Sequence, residues 1–275
     1  MFYILASIIS YYKMIENIEI IKNYIYKYSK ILGVDDQIFE FHKGTDVHQA
    51  ELGWDESRGV WIINYDNDNV EKYYFAHEVG HIYLAKKFGF DGFAKPMRSE
   101  DAPKIDWNIP LLLNMCLDGF VDYYISQFTT IYPCMKVKYL SFLEDLPNTF
   151  SYIQENTDYI EVLSWYILWF QNFDFIIDRA SRFQYKDEIA QLFSYTKNHL
   201  LRFKGGMDSI TFKKFTASLK KFKEIRKIDD PKQIILYSTN VILSSGFWDR
   251  IKVLKHIQYF YPTIRELFKK SDNLL

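Results

Sequence analysis

The chain has 275 residues, 48% of them apolar and 25% charged, a balance that excludes both a disordered chain and a membrane protein. A formal net charge of −1 singles out no partner class, so a nucleic-acid role would need a local basic patch. With only 11 glycines and 7 prolines, long helices are favoured over turn-rich β structure. Cys116 and Cys134, in no C-x-x-C pair, fit a reducing compartment and leave any metal binding to histidines and carboxylates.

The chain opens with "MFYILASIISYYKM", whose apolar run over residues 2–12 is too short to span a bilayer and has no basic residues before it. It reads as the first turns of a buried helix, as a segment ahead of a start at Met14, or as a signal or anchor segment, and a cytoplasmic protein is expected. Over residues 15–32, Ile18, Ile21, Ile25 and Tyr28 recur at helical spacing, and Gly33 is a natural stop. In "QIFEFHKG", Phe39 and Phe41 alternate with Glu40 and His42, as in a half-buried strand. "AELGW" and "VWIINY" flank "DESRG", which predicts a β-hairpin with Gly59 at positive φ.

A helix over about residues 69–88 follows. Asp68 and Glu71 stand at capping-box spacing, Lys86 and Lys87 suit the negative end of the helix dipole, and Gly89 suits the position after its end. This segment contains "HEVGH". Positions i and i+4 of a helix share one face, so His77 and His81 can aim imidazole nitrogens at one point, as a zinc ion requires. Glu78 is rotated about 100° away, beside the metal, where it can act as a base. The three-histidine continuation H-E-x-x-H-x-x-G-x-x-H fails, because Leu84 and Lys87 occupy the glycine and final histidine positions.

A third ligand must therefore come from elsewhere. Residue Ile109 opens a run of helical character, with Pro110 in a permitted first-turn position. In "LLLNMCLDGFVDYY", Asn114, Asp118 and Asp122 recur every four residues on one face of a helix that is apolar all round. Such carboxylates need partners once buried. Glu100, Asp101 and Asp106 in the preceding loop are alternatives read as solvated charges, and His42 and His48 as surface or turn residues.

HEVGH followed by N-x-x-x-D-x-x-x-D resembles the gluzincin branch of the zincin metallopeptidases over about residues 35–125. The resemblance implies that His77, His81 and Asp118 bind zinc and that Glu78 is the catalytic base. Asp122 would orient a histidine, and Asn114 would support the same network. It further implies a zinc-activated water attacking a peptide bond, with "VWIINY" as the strand that holds an extended substrate. Most gluzincins carry Glu where Asp118 stands; the shorter chain demands closer helix approach and keeps Asp122 open as an alternative ligand. A zincin-like binding or regulatory module without peptidase activity is the alternative reading.

Beyond the site the chain reads as helical, broken at Pro133, Pro147 and Gly205–Gly206. In "RFKGGMDSITFKKFTASLKKFKEIRK", Phe212, Phe215, Leu219 and Phe222 form a buried stripe with lysines on the solvent face, rather than a nucleic-acid patch. "YIEVLSWYILWFQNF" and "FWDRIKVLKHIQYFY" read as packing segments. The expectation is a predominantly helical α+β protein. Residues 1–130 form a zincin-like core with a small antiparallel sheet, and 131–275 a helical extension. The expected cofactor is Zn2+ and the expected partner a peptide or protein substrate, with no nucleic acid and no membrane.

Overall fold

The computed structural model describes residues 18–43, 50–55, 57–65, 71–90, 108–157, 159–177, 179–203, 208–245 and 249–261. The N-terminal apolar run, His48, the Asp68 cap, the loop acids Glu100, Asp101 and Asp106, and Gly205–Gly206 lie outside them. The chain is predominantly helical α+β and divides into two compact units, residues 1–87 with 93–96, and 88–92 with 97–275.

The first unit begins with helix α1 (18–32), which buries Ile21, Ile25 and Tyr28 and ends at Gly33 with φ 68°. A left-handed residue there closes the helix at no Cβ cost, as the spacing predicts. Strands β1 (Phe39–Lys43), β2 (Ala50–Asp55) and β3 (Val60–Tyr65) form one sheet in the order β1-β3-β2. The predicted hairpin is β2–β3, antiparallel, with Asp55 paired to Val60 and Trp54 to Trp61. Its turn is set by Asp55, whose Oδ1 accepts from the Ser57 and Arg58 amides at 3.0 and 3.3 Å, and by Gly59 at φ 63°.

The sheet is mixed, not antiparallel: β1 runs parallel to β3, with Phe39 opposite Trp61. This also corrects the substrate-edge assignment, because "VWIINY" is the central strand and β1 and β2 are the edges. The physical reason lies in β3 itself, four of whose six residues are buried. The most apolar strand gains most from a neighbour on each side, whereas the half-exposed β1 and β2 tolerate the rim. Arg58 on the hairpin pairs with Glu40 on β1, and Trp61 Nε1 donates to Gln37 Oε1 at 3.0 Å, which ties the two strands in register.

Helix α2 (Lys72–Phe88) follows, and Gly89 ends it at φ 55°. Lys86, in its last turn, reaches Asp36 Oδ1 at 3.0 Å.

The second unit is a helical array: α3 (Asn108–Ile125), α4 (Tyr132–Glu144), α5 (Leu146–Glu155), α6 (Tyr159–Ile176), α7 (Arg179–Gln184), α8 (Lys186–Arg202), α9 (Ser209–Phe222), α10 (Pro231–Ser245) and α11 (Arg250–Phe260). Pro133 and Pro147 fall at the starts of α4 and α5, where a missing N–H costs nothing. α3 and α6 form its most extensive pairing. Gly119 makes that approach close: a Cβ there would overlap Gln171 Oε1 and lie 2.7 Å from Gln171 Cδ. On α9, Phe215 is buried while Lys213, Lys214, Lys220 and Lys221 are exposed, as the amphipathic reading predicts. The aromatic segment of α6 is core, with Trp169 and Phe173 buried. Among the described residues, no helix is long and apolar enough to cross a membrane.

Candidate metal centre

The middle of α2 is buried without a break from Phe75 to Ile82. Its polar members are His77, Glu78 and His81, exposed by only 7, 8 and 7%. An amphipathic surface helix would turn such side chains outward; a helix buried on all sides has nowhere to turn them. The sequence therefore places two imidazoles and a carboxyl where each costs several kcal/mol unless it finds a polar or metal partner.

The two imidazoles meet through the i, i+4 geometry. Their Nε2 atoms are 3.0 Å apart, and the rings stand edge to face at 86° with centroids 4.7 Å apart. Two nitrogens bound tetrahedrally to zinc at about 2.0–2.1 Å would be roughly 3.3 Å apart, so this pair is already near the required span. Among the described residues, His77, His81 and Asp118 form a group in which one ligand atom from each lies within 4.8 Å of the others. The group is a potential metal-binding site.

Helix α3 presents the predicted polar face. Asn114 and Asp118 are half-buried, and Asn114 Nδ2 donates to Asp118 Oδ2 at 3.3 Å. Asp122 is fully buried. Its Oδ2 accepts from Lys138 Nζ at 2.7 Å and from the Tyr139 hydroxyl at 2.6 Å. The Tyr139 oxygen in turn accepts from Asn172 Nδ2 at 2.7 Å, which carries the network from α3 through α4 to α6. Burial first, and the Asp122 carboxylate second, hold the Tyr139 hydroxyl well above the ordinary tyrosine range, so it remains a proton donor. On α3, burial pushes the Cys116 thiol up to about 12. It is therefore a protonated thiol near neutrality and a weak nucleophile.

Of the two histidines read as surface or turn residues, only His42 lies within the described residues. His42 is exposed on β1, with Nε2 3.6 Å from Glu40 Oε2. His199 on α8 places Nε2 3.2 Å from the Asn156 carbonyl. Lys138, Tyr139 and Asn172 were not singled out by sequence reasoning, although one signal was present. Lys138 stands three residues after Met135 and five before Leu143, adjoining the buried stripe Met135, Tyr139 and Leu143 of α4. A lysine there marks a buried partner for one of the aspartates. No protein-family model, curated protein or solved structure matches this chain.

Proposed function

We propose that the protein is a zinc-dependent metallopeptidase. The observation that carries this reading is the convergence of His77, His81 and Asp118, with Glu78 adjacent on the same buried helix. Two imidazoles and one carboxylate match the donor set of catalytic zinc, which keeps a further position open. His77, His81 and Asp118 would hold the ion, and Asn114 holds the Asp118 carboxylate through its amide. Orientation of a histidine by Asp122 belongs to the same proposal.

Zinc bound there would supply Lewis acidity to water and to a scissile carbonyl. Glu78 takes the proton released from the attacking water and passes it to the leaving amine. The substrate is an extended peptide, and the sheet edges available to one are β1 and β2. A cytoplasmic setting fits the two free cysteines.

Elemental analysis and peptide hydrolysis with a chelator control test the proposal together. Wild type should bind one zinc and lose hydrolysis with chelator; Asp118→Ala should lose the metal. Glu78→Gln should keep the metal and lose about 10²–10⁴-fold in rate. A fully active Glu78→Gln variant would sink the assignment of the base. Stoichiometric zinc without any peptide hydrolysis would favour the binding-module reading instead.

A further inference from the structure

The polar face of α3 contains more machinery than the metal ligands use. α3 is apolar on most of its circumference, with Leu112, Leu113, Cys116, Leu117, Phe120 and Val121 all buried. Apolar packing is weakly directional, so it sets where a helix lies better than how it is rotated. Rotation has consequences at Asp118. A side chain about 6 Å from a helix axis moves about 2 Å when the helix turns by about 20°, whereas metal ligation tolerates only about 0.2 Å.

Directional bonds fix that rotation one turn beyond Asp118. Lys138 and Tyr139 both grip Asp122 Oδ2, Asn172 holds the Tyr139 oxygen, and Gln171 Nε2 donates to the Cys116 carbonyl at 3.3 Å. Lys138 is only 7% exposed, and its partner is fully buried. A buried ion pair adds little stability over an apolar pair of similar volume, so what it contributes is geometry. We propose that Lys138 and Tyr139 are positioning residues that lock the rotation of α3 and so hold the Asp118 carboxylate in its ligating position. This inference rests on the metal-centre reading above.

The test is zinc affinity of the full chain, measured by competition with a chromophoric chelator, in wild type, Lys138→Met, Tyr139→Phe and Ile153→Ala. Ile153 is buried on α5, which contributes none of the residues bonded in this network, and controls for simple loss of stability. Folded Lys138→Met should bind zinc about 10–100-fold more weakly, the range typical of residues that orient metal ligands. Tyr139→Phe should lose less, and Ile153→Ala should bind as wild type does. Wild-type affinity in folded Lys138→Met overturns the proposal, as does an equal loss in Ile153→Ala. Should Lys138→Met fail to fold, Tyr139→Phe decides: weaker binding upholds the proposal and wild-type affinity overturns it. Absence of zinc uptake by wild type would instead remove the metal centre itself, and this inference with it.

Discussion

Replacing Gly119 by alanine sets two effects of known sign against each other. Helix propensity alone favours alanine by about 0.8–1.0 kcal/mol at an interior helical position. Against this, the new Cβ would overlap Gln171 Oε1, lie 2.7 Å from Gln171 Cδ and 3.4 Å from Asn172 Nδ2. The Gln171 amide can move only by releasing the Cys116 carbonyl, to which it donates at 3.3 Å in a buried setting. An overpacked core costs about 1–3 kcal/mol, and a buried amide left without its partner about 1–3 kcal/mol more. The net expectation is a loss of about 1–5 kcal/mol after the propensity gain. Urea unfolding followed by tryptophan fluorescence reads this as a midpoint lowered by about 0.3–1.7 M. The double variant Gly119→Ala/Gln171→Ala removes the obstructing amide and should be more stable than the two single losses add up to. A Gly119→Ala protein as stable as wild type, or more so, would refute the close approach of α3 and α6.

Two further outcomes test other parts of the fold. Gly59→Ala should destabilise the hairpin by about 1–2 kcal/mol in denaturant unfolding, because φ 63° is costly for any residue with a Cβ although no atom lies in its way. An unchanged midpoint would mean that the turn is not left-handed there. In native protein near pH 8, a thiol reagent should modify the half-buried Cys134 and spare Cys116 until the chain is unfolded. The sign follows from linkage: a folded pKa of about 12 lies above the unfolded value, so the stability contributed by the protonated Cys116 is complete below the unfolded pKa. It declines as pH rises towards 12, and rapid native labelling of Cys116 at pH 8 would contradict it.

Local features were legible wherever one residue type carries one physical meaning. Gly33, Gly59 and Gly89 announced left-handed positions, and all three adopt them. The four-residue recurrence of Asn114, Asp118 and Asp122 exposed a carboxylate face on an otherwise apolar helix, and the i, i+4 histidines announced their convergence. Two features were not legible. Strand order depends on the path of the chain and not on alternation, so nothing in "FEFHK" distinguishes a parallel partner from an antiparallel one. Lys138 was hidden because a lysine is ordinarily a solvent marker; its buried ion-pair partner, Asp122, is a residue on another helix. The ligating triad itself was legible as a set of residue types, while its closeness required the fold.

The central place of β3 also implies an order of assembly. Asp55 meets Val60 across a tight turn, whereas Phe39 must find Trp61 across the whole hairpin. Loop-closure entropy makes the second pairing costlier by about 1 kcal/mol, and hairpins form within about 1–10 μs. The hairpin is thus a template that exists before its third strand arrives, and β1 docks onto the open side of β3. Refolding kinetics should then place the Arg58–Glu40 pair after the transition that quenches or enhances Trp54 and Trp61, whose rings pack 4.6 Å apart within the hairpin. The chain writes this sheet out of order, and its last strand in sequence is the one around which the others assemble.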